Sequence, residues 1–394
     1  MNEVHMAEKK GISRRRFLET SAAVGSAVLI SSQRATAVET AKDDIRCGFI
    51  GIGGRGFGVL QATNKSPGVR VTALCDISDD HLARAAKEVA ADEPKTFKDY
   101  REMLKFEELD AVYIATPCNL HAEMAMAVLA AGLHCYCEKP MALSMKELNA
   151  VYAAAKKAKG TFQIGTQLRY GSPWKPAIET ITSGKVGKPI LLRGYRNNSG
   201  DFPRNGWFED PAQSGDVMLE QAVHEFDIFN AIMGGIPKRA SAFGGQAMRK
   251  SVGPMHDFFT LSMDYGDNKA VGYTHSWLMA PNVGCDGMNE FVYCVDGTVD
   301  VQGGHIYHRE SKIVAKPAQG DKPAEMTNHE RVSEEPKGDS TQLAIDDFFR
   351  CCREKATPLA NADTGRAAVL VGLICRKALA EGRVVTMDEI LAEG

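Results

Sequence analysis

The chain has no surplus of positive charge: 47 Lys and Arg against 50 Asp and Glu leave a formal net charge of −3 over 394 residues. That balance excludes the electrostatic footprint of a nucleic-acid surface or a polybasic membrane patch. Beyond the N-terminal region, no uninterrupted apolar run reaches the length of a spanning helix. Ten cysteines are present, yet Cys135-x-Cys137 has no matching second pair, which argues against zinc, and no metal site is expected. An exported protein can form disulfides. Cys47, Cys75, Cys135 and Cys137, however, lie in apolar strand-like runs where cysteine acts as a small hydrophobe, so mostly reduced, buried thiols are expected. No internal repeat is visible. What remains is a soluble globular composition, 44% hydrophobic and 25% charged, long enough for about two domains.

The first residues read as a targeting segment rather than as fold. Ser13-Arg14-Arg15-Arg16-Phe17-Leu18 precedes a mildly apolar stretch from Thr20 to Ser31, and Ala35-Thr36-Ala37 supplies a small-residue cleavage site. This is the order of a twin-arginine export signal, with cleavage after Ala37. The expectation is a signal over 1–37, a linker over 38–44, and a folded protein in the periplasm or cell envelope. That route carries folded proteins, so a nucleotide cofactor would be loaded before export and retained.

From Ile45 the chain alternates short β-rich runs with helical stretches. The strands are expected at Ile45–Ile50, Val69–Cys75, Asp110–Ala115, His134–Cys137 and Thr161–Gly165, with helices at Asp79–Ala91, Leu120–Ala131 and Ser144–Lys157. Such alternation means a parallel sheet with helices on both faces. The first strand runs into Gly51-x-Gly53-x-x-Gly56, and Asp76 follows the second. This is the layout of a dinucleotide-binding unit: one glycine for the turn, one for close approach of a pyrophosphate, one for helix packing, and an acid for a ribose. After about Gly165, longer β runs appear with turn signals such as Tyr265-Gly266-Asp267-Asn268-Lys269. The fold class is therefore α/β, a Rossmann domain over 45–165 followed by an α+β domain over 166–394 with a large, mostly antiparallel open sheet. The polar stretch from Lys316 to Lys337 reads as a surface loop.

Three further motifs carry chemistry. Thr116-Pro117-Cys118-Asn119-Leu120-His121 follows one buried strand and Glu138-Lys139-Pro140 the next, at the strand ends where doubly wound sheets bind ligands. Downstream, Gly215-Asp216 leads into a segment patterned as one helix, on which Glu220 and His224 stand four apart and face the same side. An imidazole suits proton transfer near neutrality. A desolvated lysine can act as a base or polarise a forming carbonyl.

Taken together, GIGGRG, ATPCNLH, CEKP and the Gly-Asp…Glu-Gln-x-Val-His-x-x-Asp segment resemble the Gfo/Idh/MocA family of sugar oxidoreductases, from Ile45 to the C-terminus. The resemblance implies that Gly51, Gly53 and Gly56, with Gly54 and Arg55 on the same loop, cradle the pyrophosphate. Asp76 would hold the adenosine ribose and favour NAD over NADP, although Arg55 leaves NADP possible. Thr116, Pro117, Asn119 and His121 would line the nicotinamide, Glu138 its ribose, and Lys139 would reach the reacting hydroxyl. His224 is read as principal acid/base and Lys139 as its polarising partner, the reverse assignment remaining open. Glu220 stands where the family usually has Asp, one methylene longer.

A substrate pocket is expected from Gln167, Arg169, Tyr170, Arg204, Asn205 and Trp207, polar groups beside aromatic platforms. The expected partners are a small sugar or polyol, the twin-arginine machinery, no nucleic acid, and further copies of this chain in a dimer or tetramer built on the open sheet. The expected reaction is hydride transfer from a sugar carbinol to bound NAD. Its rivals are a glycosidase or lyase that oxidises transiently with no net redox change, and a non-catalytic nucleotide-bound sensor.

Overall fold

A computed structural model describes residues 44–199, 206–248, 254–281, 287–310, 313–316, 319–320, 324–332 and 338–394. The export motif, Arg204, Asn205 and Cys285 lie outside the described residues.

The first sheet has six strands: β1 (Ile45–Ile50), β2 (Val69–Cys75), β3 (Lys95–Phe97), β4 (Ala111–Ile114), β5 (His134–Cys137) and β6 (Phe162–Ile164). They run in the order β3-β2-β1-β4-β5-β6, and every pairing is parallel. This is the doubly wound order, with a topological switch between β1 and β4. The strands are short and apolar on both faces because helices cover both. β3 escapes a sequence reading because three residues at a sheet edge carry no periodicity. Ser78 caps the helix Asp79–Glu88 through the His81 amide, and Ser144 caps Met145–Lys157 through the Glu147 amide. The Glu147 carboxylate returns to the Leu143 amide at 3.2 Å rather than to the amide of the cap itself.

The second sheet has nine strands in the order β16-β13-β12-β11-β7-β10-β9-β8-β17. They are β7 (Pro189–Asn197), β8 (Arg239–Gly245), β9 (Phe258–Gly266), β10 (Lys269–Ser276), β11 (Gly287–Cys294), β12 (Gly297–Asp300), β13 (His305–His308), β16 (His329–Arg331) and β17 (Val385–Thr386); β14 (Ile313–Lys316) and β15 (Glu325–Thr327) pair separately. Only β7 and β10 pair in parallel in this sheet. The β9–β10 hairpin turns through Asp267 and Asn268, both at positive φ (53° and 59°), as a primed turn requires. Along β9, Phe259, Leu261, Met263 and Tyr265 are buried while the alternate residues face outward, so one face of the sheet packs on helices and the other stays open. The loop expected over Lys316–Lys337 instead contains β15 and β16. Polar composition reports exposure there, and short edge strands need bury nothing.

The helices Val223–Met233 and Ala362–Glu381 pack on each other, and the second also lies against β8. The helix Ser340–Glu354 belongs by packing to the first sheet. Its Ile345, Phe348 and Phe349 share a core cluster with Phe49, Ile52 and Tyr136, and Arg353 donates to the carbonyls of Pro67 and Gly68 at 2.8 Å each. The nine described cysteines are free and buried.

Candidate active site

Each predicted nucleotide motif lies at the C-terminal edge of the first sheet: the glycine loop after β1, Asp76 after β2, Thr116 after β4, Glu138 and Lys139 after β5. Gly51 has φ +83°, and a Cβ there would sit 2.7 Å from the Ala115 carbonyl oxygen; one on Gly56 would sit 2.1 Å from the Gly51 oxygen. At Gly54 a Cβ would meet nothing within 4 Å, and at Gly53 only the His81 ring at 3.7 Å. Two glycines are thus demanded by packing and two leave an open cradle. The helix Gly54–Thr63 starts at that cradle with no side-chain cap, so its first amides are available to an anion. A pyrophosphate fits these features.

Asp76 is buried and braced. Its carboxylate accepts from the Ile52 amide at 2.6 Å and the Ser78 amide at 2.8 Å, with His81 Nδ1 at 3.2 Å. The acid therefore ties β2 to the glycine loop. Arg84 donates to the Ile52 and Gly53 carbonyls at 3.1 Å and stacks on Phe57.

Arg55 does not stand beside Asp76 as a counter-cation. Its Nε donates to Glu138 at 2.7 Å and its Nη1 to Thr341 Oγ1 at 3.1 Å. Glu138, assigned by resemblance to the nicotinamide ribose, is turned into the protein, with its side chain 5% exposed. It also accepts from the Tyr113 hydroxyl, and Gly165 leaves room for it, since a Cβ there would lie 2.6 Å from its carboxylate. Burial raises the Glu138 pKa, but Arg55, Tyr113 and Lys139 outweigh it and hold the carboxyl below its usual range.

His121 is likewise a clamp rather than an open face toward a ligand. It is 1% exposed, with Nδ1 2.8 Å from the Pro140 carbonyl and Nε2 2.9 Å from the Thr116 carbonyl. It joins the loop after β4 to the loop after β5, and burial keeps its pKa below the ordinary value. The Lys139–Pro140 peptide is cis. Pro117 opens the short turn Cys118–Leu120. Asn119 Oδ1, in that turn, is buried without a hydrogen-bond partner, as is Gln167 Oε1 after β6. Thr116 Oγ1 reaches Met124 Sδ at 3.5 Å.

Lys139 points away from its neighbour Glu138. Its Nζ donates to Glu220 Oε1 at 2.6 Å and to the Glu220 carbonyl, and both side chains are largely buried. Burial pulls the lysine pKa down, but Glu220 more than restores it, and the net shift is upward. The helix expected to carry both Glu220 and His224 is interrupted: Asp216–Glu220 ends before Gln221, and Val223–Met233 begins a new one. The break frees the Glu220 carbonyl to receive Lys139. His224 is half-buried, and its Nδ1 lacks a partner. Its pKa is pushed well below 6.5, first by burial and then by the Lys139, Arg196 and Arg55 cations. The two shifts favour a neutral imidazole and a charged lysine.

Two predicted sugar-binding residues are structural. Arg169 forms a two-pronged pair with Asp227, Nε to Oδ2 at 2.6 Å and Nη2 to Oδ1 at 2.5 Å. The buried Tyr170 hydroxyl accepts from the Ala360 amide at 2.9 Å. Polar residues beside a strand end looked like a sugar fan, but the fold uses them to satisfy buried groups. Trp207 is half-buried, edge-on to Phe208. The sequence reading missed Arg196, at the end of β7, whose Nη1 donates to Glu225 at 3.2 Å. Its only sequence signal is a cation near the end of a long strand.

Comparison with known proteins agrees with this geometry. Residues 45–166 match the GFO/IDH/MocA family described as "Oxidoreductase family, NAD-binding Rossmann fold", and residues 174–300 match the GFO/IDH/MocA C-terminal domain. The chain is 25% identical to a myo-inositol 2-dehydrogenase of Thermotoga maritima, over 88% of this chain and all of that one. It is 33% identical to glycosyl hydrolase family 109 protein 2 of a Shewanella species, over 47% of this chain and 45% of that one. Its fold matches that of levoglucosan dehydrogenase solved with NADH and levoglucosan, with a TM-score of 0.72, 18% identity, and coverage of 87% of this chain and 99% of that one. With its NAD-binding Rossmann domain and matching second domain, the chain belongs to the GFO/IDH/MocA oxidoreductase family.

Proposed function

We propose that this chain oxidises a carbinol of a sugar or polyol by hydride transfer to a tightly held NAD. The observation that carries the reading is the Lys139–Glu220 pair set beside a neutral His224 at the ligand edge of the first sheet. Bound NAD would supply the hydride acceptor, its pyrophosphate over Gly53 and Gly54 and its adenosine ribose near Asp76. Lys139, two of whose ammonium donors are held by Glu220, directs the third at the reacting oxygen and stabilises the charge that develops there. His224 takes the hydroxyl proton as general base. Glu220 fixes the lysine through both its carboxylate and its backbone. The T. maritima and levoglucosan-oxidising relatives support a polyhydroxylated substrate. Mass spectrometry of the small molecule released on denaturation tests retention of NAD. Nucleotide reduction across a panel of polyols and sugars tests the chemistry; no reduction by any member would overturn it.

The Shewanella relative favours a second reading, glycoside cleavage with transient oxidation and no net redox change. Bond cleavage with no lasting change in nucleotide absorbance would select it.

Export belongs to the same proposal and rests on Ser13-Arg14-Arg15-Arg16-Phe17-Leu18 with Ala35-Thr36-Ala37. Retention of an Arg14→Lys, Arg15→Lys double variant in the cytoplasm tests it. A dimer or tetramer would use the open sheet face, which carries Tyr195, Thr260, Thr274, Phe291 and Tyr293. Scattering measurements of molar mass test the assembly.

A further inference from the structure

Two arginines in the second domain meet buried carboxylates, and they do so differently. Arg169 is matched atom for atom: both Asp227 oxygens are engaged by two nitrogens of one guanidinium edge. Its side chain is 9% exposed. Arg196 gives Glu225 a single bond, from Nη1 to Oε1 at 3.2 Å. Glu225 Oε2 is buried without a partner, so the pair is not two-pronged, and the Arg196 side chain remains 20% exposed. A guanidinium has five donors in a planar fork, and a single long bond leaves most of this one unspent.

Its position gives the unspent fork a use. Glu225 follows His224 on the helix Val223–Met233, so the guanidinium is held at the start of that helix beside the imidazole. The helix start has no side-chain cap. The charge of Arg196 bears on His224, and that of Glu220 bears on Arg196. Lys139 and Arg55 are each closed on a carboxylate, Glu220 at 2.6 Å and Glu138 at 2.7 Å, whereas Arg196 holds Glu225 by one bond at 3.2 Å. Of the three cations that bear on His224, Arg196 is the one with a donor edge left for an anionic group.

Building on the dehydrogenase reading above, we propose that Arg196 is a specificity-determining residue and that the preferred substrate is an acidic sugar, whose carboxylate or phosphate ester is bound by the free edge of the Arg196 guanidinium. Carboxylates and phosphates both accept two parallel charge-assisted hydrogen bonds from the planar Arg fork, whereas Lys offers them a point charge without that two-pronged geometry.

The test uses the purified holoenzyme and three arms: neutral hexoses and inositols, the matching hexuronates, and hexose 6-phosphates. Nucleotide reduction is the readout. One acidic arm should exceed the neutral arm about tenfold or more in kcat/KM, and which acidic arm does so identifies the anionic group. Arg196→Gln should erase most of that preference, chiefly by raising KM for the acidic sugar. Arg196→Lys should restore it only in part. Because Arg196→Gln strands the Glu225 carboxylate, the double variant Arg196→Gln, Glu225→Gln should show the same lost preference with the buried charge removed. Equal or better turnover of neutral sugars, or an equal loss on both classes in Arg196→Gln, overturns the inference and leaves the dehydrogenase reading standing. No reduction by any arm overturns both.

Discussion

Glu138 and Lys139 are adjacent in sequence, and each forms an ion pair across a distance in the chain, yet the two pairs belong to different kinds of structure. Glu138 turns inward to Arg55 and Tyr113, and Arg55 in turn donates to Thr341 Oγ1 on the helix Ser340–Glu354. Lys139 turns toward Glu220 and the half-buried His224. The first pair fastens the glycine-loop helix to β5 and to the helix Ser340–Glu354. The second holds an ammonium where the proposed reaction takes place. One motif therefore supplies a structural anchor and a chemical group from neighbouring positions, and stability and rate should separate between them.

The sharpest separation comes from Lys139→Ala. Loss of the positioned cation should reduce turnover by about 10³-fold, while the nucleotide found by mass spectrometry after denaturation stays at the wild-type level. If the nucleotide is lost as well, the two ends are not independent. Gly56→Ala acts at the other end. Its Cβ would sit 2.1 Å from the Gly51 oxygen, a backbone atom that cannot swing aside. A cost of about 3 kcal/mol, together with loss of bound nucleotide, should appear in urea unfolding with and without added NAD.

Glu138→Ala tests the anchor. Removing the carboxylate leaves Arg55 with Thr341, but Arg55 is 37% exposed, so water screens that loss. The larger cost is the buried Tyr113 hydroxyl left without its acceptor, about 1–3 kcal/mol. Urea unfolding should show that loss, whereas a contact made mainly with a cofactor would move nucleotide affinity and leave the apo protein unchanged.

The acid limb of the pH–rate profile is a smaller effect with a definite sign. Burial, then Lys139, Arg196 and Arg55, lower the His224 pKa well below 6.5. With His224 as the proposed base, the downward shift keeps it unprotonated through neutrality, and kcat/KM should begin to fall only below pH 6.5, not at it. Linkage runs the same way: the unfolded histidine binds its proton near pH 6.5 while the folded one resists, so this contribution to stability is present above that pH and is lost as pH falls. A limb centred at or above 6.5 would place the titration on another group.

The two ends also differed in how far they could be read from sequence. The glycine loop was legible because its requirements are local: a positive φ at Gly51, no Cβ at Gly56, and an acid after the next strand. The meeting of Lys139 with Glu220 is legible in motif order, although the single helix expected to carry Glu220 and His224 is broken at Gln221. What the sequence could not show was the fate of each polar side chain. Glu138 is committed by Arg55, 83 positions away. Arg169 is committed by Asp227, 58 positions away. Arg196 meets Glu225 only because β7 ends beside the start of a later helix. Pairings made by the tertiary fold leave no periodicity and no turn chemistry to detect.

The smallest expected effect separates the two roles within the glycine loop itself. Gly54 is the first residue of its helix, and a Cβ there would touch nothing within 4 Å. Alanine costs less backbone entropy than glycine in a helix, by up to about 1 kcal/mol, so Gly54→Ala should leave apo stability unchanged or slightly higher. The same methyl occupies the cradle through which a pyrophosphate would approach the amides, and nucleotide affinity should fall. Stability and affinity moving in opposite directions, by urea unfolding and by calorimetry with NAD, is the outcome that an open cradle requires. If both fall together, the space at Gly54 serves packing, as it does at Gly56.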